Sequence, residues 1–218
     1  MKDKIKKAVP IALWLLLAMS GGCMDAFSYL FREQVFANAQ TGNILLLGVN
    51  LSTGNFAVCF RYFCPILAFV FGIMLAYLIC RLAGGHGHRA KLLVVGGEAL
   101  VLFAVAFMPQ SVNVIANAMI SLACGMQLEC FGEFMGRRAA TTMCIGNLRS
   151  MIHNIMEYVF GKDKAQRKNA VFFAVTILFF TFGAVIGNLF VQVLGTYAIW
   201  GSCLILLSCL GLICIRIE

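Results

Sequence analysis

One polar motif occurs twice in the chain, once in each half. Gly22-Cys23-Met24-Asp25 and Thr41-Gly42-Asn43 correspond to Gly125-Met126-Gln127 and Thr142-Met143-Cys144-Ile145-Gly146-Asn147, with spacings that differ by one residue. A duplication of this kind favours a fold made of two similar halves, and membrane transporters commonly form their sites where such halves meet. We therefore predict a single membrane domain, 1–218, with repeat one at 8–108 and repeat two at 111–216.

The composition is that of a membrane protein. Hydrophobic residues make up 61% of the chain and charged residues 12%, against roughly 45–50% and about 25% in ordinary soluble domains. A transmembrane helix needs about 20 apolar residues. Six apolar stretches come close to or exceed this length, at 9–30, 63–80, 92–108, 112–130, 170–193 and 198–215. The expected surroundings of the chain are therefore a lipid bilayer.

The first apolar stretch admits a second interpretation. Lysines near the start, an apolar run and then small residues are typical of a cleavable signal peptide, and Ser20-Gly21-Gly22-Cys23 approximates a lipoprotein processing site. Cleavage there would remove the helix that leads into the first motif, whereas the second copy keeps its equivalent, 111–124. We therefore expect the stretch to remain in the mature protein.

The positions of lysine and arginine predict which loops face the cytoplasm, because positively charged loops are retained there. Three basic clusters stand out, at 2–7, 81–91 and 162–168. If all three are cytoplasmic, the segment 32–60 begins and ends outside and the segment 139–160 begins and ends inside. Each segment carries one copy of the motif, so the two should enter the bilayer from opposite faces and return. Both chain termini are then cytoplasmic.

This topology predicts an all-α, polytopic membrane helical bundle of six transmembrane helices plus two re-entrant or broken segments, arranged as an inverted internal repeat. The alternative has eight spanning helices and parallel repeats, for which 35–57 is long enough. Against it, 139–160 contains Arg149, His153 and Glu157, and a charge at bilayer depth costs roughly 2.5–3.5 kcal/mol. Eight helices would also put one basic cluster outside.

The motif residues suit a break in a membrane helix. Glycine permits a turn, and Thr and Asn side chains can hydrogen-bond freed backbone groups or a ligand. Thr41-Gly42-Asn43 before an apolar run predicts a polar turn followed by a half-helix whose N–H groups point into the protein. Alternatively, these small residues only allow close helix packing. The candidate substrate-binding residues of the motif are Asn38, Gln40, Thr41, Gly42, Asn43, Gln127, Thr142, Gly146 and Asn147.

Two acidic residues within apolar stretches are further candidates, because carboxylates in a membrane are costly and usually functional. Asp25 either contributes to the site or lies at a helix end. A pair with Arg32 is disfavoured, because a helix places Arg32 about 10 Å further along. Glu98 is deeper by sequence, and either handles protons or ions or makes a structural hydrogen bond to a neighbouring helix.

No sequence pattern indicates a metal, another cofactor or an enzyme. The ten cysteines fall mostly within apolar runs and form no Cys-x-x-Cys pair, so they should behave as small hydrophobic residues. Gly-x-Ser-x-Gly and His-Glu-x-x-His motifs do not occur in the sequence, which disfavours hydrolase chemistry of those types. The formal net charge of +8 is explained by cytoplasmic loops and needs no nucleic acid.

Several of these motifs together resemble the YoaK-like family of bacterial inner-membrane proteins, which is defined by a domain of unknown function. The matching positions are 22–26, 36–43, Gly48, Phe69 with Gly72, 125–127 and 182–183. The chain departs from the family pattern at Leu128 and Ile145, where Asn and Thr are expected. The resemblance implies a multi-pass protein of the bacterial inner membrane and implies no established activity.

The sequence therefore predicts a small-solute or ion transporter or channel, with its site between two inverted repeats. The alternative is a membrane protein without transport, either a structural or assembly factor or an intramembrane enzyme. The expected partners are the bilayer and an unidentified solute or ion, and the sequence leaves open whether the chain forms a homo-oligomer.

Overall fold

The computed structural model describes residues 2–134 and 137–215, and only the backbone of 2–9, 134, 137 and 138. Within these ranges the chain forms eight α-helices: α1 Lys2–Phe31, α2 Gln40–Ser52, α3 Phe56–Leu82, α4 His88–Val105, α5 Asn113–Cys130, α6 Cys144–Gly161, α7 Lys164–Leu194 and α8 Trp200–Ile215. Short 3-10 turns, Gln110–Val112 and Gly195–Ile199, precede α5 and α8. Two short antiparallel strands, β1 Glu133–Phe134 and β2 Arg137–Arg138, lie between α5 and α6. The prediction of a helical bundle is confirmed.

The polarity of the molecule is that of a protein in lipid. Large apolar side chains such as Phe71, Leu178 and Leu204 are exposed on the outer helix faces, while Arg32, Glu98 and several amides are buried. Four stretches are long and apolar enough to cross a membrane: Pro10–Phe31, Phe56–Leu82, Gln110–Cys130 and Lys164–Ile215, the last of which contains both α7 and α8. A membrane location is therefore supported both by the hydropathy of the helices and by the apolar side chains exposed on their outer faces.

Two helix pairs, α1 with α7 and α3 with α5, cross in the same way. At each crossing a glycine of one helix faces the backbone of the other, so a Cβ atom would overlap a main-chain carbonyl oxygen. The glycines and the residues whose carbonyls they meet are Gly22 with Phe180, Gly183 with Met19, Gly125 with Phe69, and Gly72 with Leu122. Because small residues allow helix backbones to approach closely, the repeated glycines of the motif determine both crossings.

The helices of each pair run in the same direction. In the first half of both α1 and α7, Trp14 Nε1 donates to Thr176 Oγ1 over 3.0 Å, and further along both helices Gly187 packs against Cys23. In the other pair, Gly72 packs against Leu122. Near the ends of α3 and α5, the free thiols of Cys80 and Cys130 are in hydrogen-bonding contact. The two crossings are therefore equivalent in direction as well as in contact.

A separate helix begins within each motif: Thr41-Gly42-Asn43 lie in the first turn of α2, and Gly146-Asn147 lie in the first turn of α6. The helix α2 has 13 residues and α6 has 18. Some boundaries differ from the prediction: α3 begins at Phe56 rather than at 63, and α4 begins at His88 rather than at 92. The turn before α3 contains Gly54 at φ +72°, a conformation that glycine adopts readily, so the chain can reverse there and begin the next helix early.

Candidate functional site

The first motif forms a closed loop, residues 32–39, that leads into α2. Asn43 Oδ1 accepts from the N–H of Phe36 over 3.0 Å, and Asn43 Nδ2 donates to the carbonyl of the same residue over 2.7 Å. Nδ2 of Asn43 also lies 2.9 Å from Gln40 Oε1. A single buried amide therefore satisfies both backbone groups of a residue seven positions earlier, as burial away from water requires.

The second motif, whose described loop is 139–143, contains the same arrangement. Asn147 Oδ1 accepts from the N–H of Ala140 over 3.3 Å, and its Nδ2 donates to the Ala140 carbonyl over 2.6 Å. The separation is again seven residues. Asn43 and Asn147 thus hold the two loops in shape, and both amide groups are already used for this purpose.

The other motif positions have different roles in the two copies. Gln40 Nε2 donates to Ala37 O over 2.8 Å and lies 3.4 Å from Ser121 Oγ of α5. Thr41 is exposed on α2. A Cβ on Gly42 would lie 2.8 Å from the Phe36 ring, whereas the space around Gly146 is open. Glycine is therefore sterically required only in the first copy.

Both loops meet at one patch of α1. From the first loop, Asn38 Nδ2 donates to Gly21 O over 3.0 Å, and the backbone N–H of Asn38 donates to Asp25 Oδ1 over 2.8 Å. From the second loop, Thr141 O and Thr142 Cγ2 each lie 3.3 Å from the Cβ position of Gly21. Gly21 is therefore the point at which the two motif loops come together.

The helix α5 contributes a glutamine to the same place. Gln127 Nε2 donates to Thr141 Oγ1 over 2.7 Å and lies 3.2 Å from Leu17 O. Asp25, Asn38, Gln127, Thr141 and Thr142 form what we name the central cluster. Three of the five, Asn38, Gln127 and Thr142, carry a buried oxygen that has no hydrogen-bond partner among the described residues. Such atoms are rare in folded proteins and mark sites where a water, an ion or a ligand can bind.

Glu98 lies outside these contacts. Its side chain is 1% exposed on α4, and neither carboxyl oxygen has a hydrogen-bond partner within the part of the chain that the structure describes. Gly97 next to it faces the Met126 side chain. Glu98 is thus a second buried polar position, and no described hydrogen bond joins it to either loop.

Arg32 closes the end of the bundle where α1 finishes. Its side chain donates to the carbonyls of Val105, Met108 and Pro109 over 2.8–3.2 Å, and further contacts reach Asn113 Oδ1 and Thr196 Oγ1 at 3.0 and 3.3 Å. A cation at the carboxyl end of a helix is stabilised by the helix dipole, here that of α4. Burial lowers the pKa of the Arg32 guanidinium, yet arginine stays charged in proteins.

A cavity of about 1050 Å³ lies beside the second loop, between the end of α5 and the start of α6. Ala139, Ala140 and Asn147 form its inner wall. Its charged or titratable lining residues are His86, Lys91, Glu129, Glu133, Arg149 and His153. His86 Nε2 and Glu129 Oε1 are 4.0 Å apart in this wall. The cavity thus combines a polar mouth with an inner end next to Thr141.

The structure brings four of the sequence-predicted residues, Asp25, Asn38, Gln127 and Thr142, into the central cluster. It assigns loop-closing contacts to Asn43 and Asn147, and leaves Thr41 and Glu98 without a described hydrogen bond. The candidate substrate-binding residues predicted from the sequence did not include Arg32, which ties together the helix ends beside the end of α1, or Thr141. The equal seven-residue spacing from Phe36 to Asn43 and from Ala140 to Asn147 is the one sequence pattern from which the loop closure could have been deduced.

Comparisons with known proteins agree with the helical membrane architecture. A family model described as a protein of unknown function, DUF1275, matches residues 13–212. The UPF0700 transmembrane protein YoaK of Bacillus subtilis (strain 168) is 25% identical over 181 residues, which cover 78% of this chain and 79% of that protein. No solved structure matches the chain. The chain therefore belongs to the DUF1275 family of membrane proteins, as its YoaK-like motifs predict.

Proposed function

We propose that the chain crosses the membrane six times, through α1, α3, α4, α5, α7 and α8. The four apolar stretches contain all of these except α4. The 18 residues of α4 extend about 27 Å, close to the hydrocarbon thickness of about 30 Å, and α4 packs against α5 and α8. In this topology α2 and α6 do not cross. The helix α6 is as long as α4, but it carries Arg149, His153 and Glu157, and charged residues at bilayer depth are costly.

The ion pair between Glu33 and Arg61 supports a re-entrant first segment. Glu33 follows the end of α1 and Arg61 lies in the second turn of α3, yet Arg61 Nε and Glu33 Oε2 are 3.0 Å apart. Between them the chain reaches Gly21, in the interior of α1, through Asn38. The segment therefore leaves one face, reaches the middle of the bundle and returns to the same face.

The second segment follows the same course from the other face. Because α3 and α5 run in parallel, α5 ends on the face opposite Glu33. The chain then reaches Gly21 through Thr142 and continues into α7. Because α7 runs parallel to α1 and pairs with it at the same distance along both helices, through Trp14 and Thr176, the two helices start on the same face. Two re-entrant segments from opposite faces, together with the two equivalent glycine crossings, favour an inverted repeat.

The distribution of lysine and arginine between the two faces supports one orientation of the chain in the membrane. Arg81, Lys91 and Lys164 lie at helix ends on one face, the face that also carries the start of α1. Positively charged loops favour the cytoplasm, so this face is cytoplasmic, the N-terminus is inside, and the membrane is the bacterial inner membrane. The C-terminus is also expected inside, although 216–218 lie outside the described residues.

The function that this geometry favours is transport of a small solute or ion. The observation that carries the proposal is the cavity on the cytoplasmic face, which ends at the second loop directly beside the central cluster. On the opposite face, Arg32 ties together the ends of α1, α4 and the turn before α8. A site reached from one face and closed from the other is the arrangement of an alternating-access transporter.

Cysteine labelling in whole cells tests the topology. Ser52→Cys and Ser111→Cys should react with a membrane-impermeant maleimide, because in the proposed topology α2 ends, and α5 begins, on the outer face. Lys164→Cys should react only after the membrane is permeabilised. The wild-type chain, with its own cysteines, provides the background. Labelling of Ser52→Cys from inside would contradict the re-entrant arrangement and favour eight spans.

Flux measurements test the function. Purified protein in liposomes is screened with gradients of small cations, anions, amines and sugars. Flux above that of empty liposomes is expected for one class, with Thr142→Val slower and the matched control Thr181→Val, on the exposed face of α7, unchanged. If no gradient produces flux, the transport proposal fails and a structural or assembly role takes its place.

A further inference from the structure

We propose that the central cluster binds a small monovalent cation. This inference rests on the proposed function, since the cation would be either the transported ion or the ion that drives transport. It is carried by the orientation of two buried amides, the carboxylate of Asp25 that bonds one of their residues and the positions of the nearby cations.

The amide donors of the cluster are already used. Asn38 Nδ2 donates to Gly21 O over 3.0 Å, and Gln127 Nε2 donates to Thr141 Oγ1 over 2.7 Å and lies near Leu17 O. A backbone carbonyl can only accept, so turning either amide around would set oxygen against oxygen. The two amide oxygens are therefore held in place as free acceptors.

These acceptors are buried together on one side of α1. Asn38 is 2% exposed, Gln127 is 0% exposed and Thr142 is 3% exposed, and Asn38 Oδ1, Gln127 Oε1 and Thr142 Oγ1 have no partner among the described residues. Their neighbours on α1, Leu17 and Gly21, are one helical turn apart, about 6 Å. The patch is thus an oxygen-rich surface within a few ångströms of both loops.

The charge of the patch is negative. Asp25 accepts from the N–H of Asn38 over 2.8 Å and also interacts electrostatically with Cys144 at the start of α6. Arg32 lies a turn or two further along the chain, and its guanidinium bonds instead to Met108 O after the end of α4 and to Asn113 Oδ1 at the start of α5. No described Lys or Arg nitrogen bonds to the cluster, so the carboxylate has no partner of opposite charge there.

A monovalent cation fits this chemistry better than an anion or a sugar does. Carboxylate, amide and hydroxyl oxygens are the ligands that hard cations prefer, and an anion would need the N–H donors that are already occupied. Within a bilayer, uncompensated charge is costly. Asp25 is the carboxylate that bonds a cluster residue, whereas Glu98, which like Asp25 acts electrostatically on Cys124, has no hydrogen bond to the cluster among the described residues. A single carboxylate in the cluster balances a single positive charge, which favours an alkali ion or ammonium over a divalent ion.

Binding is tested on purified protein in detergent, with no need for flux. Thermal unfolding is followed while NaCl, KCl or NH4Cl replaces choline chloride at constant ionic strength. A ligand that binds only the folded state raises the Tm in a saturable manner, and one of the three cations is expected to do so. Asp25→Asn, which keeps an oxygen to accept from Asn38, is expected to abolish the shift.

Thr142→Val separates binding from folding. It removes only an unpaired buried hydroxyl, so without the cation its Tm should equal or exceed that of the wild type. Its apparent affinity for the cation should fall about tenfold or more, since a hydrogen bond or similar contact to a charged group contributes roughly 1.5–3 kcal/mol. The control Thr181→Val, in which an exposed hydroxyl bonds Ile177 O, should bind as the wild type does.

Each result decides the proposal. If Na⁺, K⁺ and NH4⁺ all act like choline on the wild type, or if Thr142→Val and Thr181→Val bind a cation equally well, the cation site is overturned. Should Asp25→Asn not fold, the Thr142→Val comparison decides alone. Saturable cation binding without flux in any liposome assay would support the cation site and contradict the transport proposal. Flux of a neutral solute by a protein that binds no cation would support transport and contradict the cation site.

Discussion

At the residue scale, three buried polar side chains hold the irregular parts of the chain. Asn43 and Asn147 each bond both backbone groups of a residue in their own loop, and Arg32 bonds the carbonyls at the end of α4. Backbone groups that leave a helix inside a membrane must be paired by protein, because lipid offers no partner. These side chains provide that pairing.

Replacing either loop asparagine should destabilise the fold. Asn43→Ala leaves the N–H and carbonyl of Phe36 unpaired, and each buried orphan costs about 1–3 kcal/mol. We expect a loss of about 2–4 kcal/mol in the free energy of unfolding, and a similar loss for Asn147→Ala. Asn50→Ala on the half-exposed side of α2 is the control and should change it by under about 0.5 kcal/mol. Equal stability of Asn43→Ala and Asn50→Ala would contradict the loop-closing role.

The contacts by which Arg32 closes the end of the bundle depend on a guanidinium rather than on charge alone. Arg32→Lys keeps the charge but cannot reach all five acceptors in the fork geometry of arginine, so the free energy of unfolding should fall by on the order of 3 kcal/mol. Arg61→Lys, whose ion pair with Glu33 is partly exposed, should cost less than about 1 kcal/mol. Denaturation in detergent measures both, and a larger effect at Arg61 would reject this assignment.

At the element scale, the bundle depends on two close crossings built from repeated glycines. In each, backbone meets backbone, so no side-chain rotation can make room for a new methyl group. Because a membrane gives little hydrophobic drive for helix association, close packing of this kind supplies much of the attraction between helices. The motif glycines Gly22 and Gly125 are therefore packing residues, while Asn38, Gln127 and Thr142 lie at the meeting point of the loops.

Gly125→Ala tests the crossing of α3 and α5. Its Cβ would overlap Phe69 O, so we expect the helices to separate and the folded yield and Tm to drop sharply. Gly96→Ala on α4 has open space around it and should be neutral or stabilising, because alanine has the higher helix propensity, by about 1 kcal/mol. Size-exclusion profiles and thermal unfolding compare the two variants. Similar folded yield and Tm for Gly125→Ala and Gly96→Ala would show that the crossing of α3 and α5 tolerates a wider spacing.

At the scale of the whole molecule, the proposed transport path would run from the cavity beside α6, past the central cluster, to the end of the bundle at Arg32. Ser150 lines this cavity, whereas Ser208 is exposed on the outer surface of α8. A bulky, polar thiol reagent attached at Ser150→Cys should therefore block flux in liposomes. The same reagent with Ser208→Cys should leave flux at the wild-type rate. If the reagent blocked flux through both variants or through neither, the result would show that the cavity is not part of the transport path.

The sequence by itself determined the membrane location and the helical architecture, and it placed a separate helix at each motif, because hydropathy and the turn chemistry of Gly, Thr and Asn are local properties. It also identified Asp25, Asn38, Gln127 and Thr142 as candidates. Only the tertiary structure decided which of them meet. Asn43 and Asn38 are both polar and close in sequence, yet the first bonds its own loop and the second reaches Gly21. The difference depends on how α1, α5 and the two loops pack, and no local pattern encodes it.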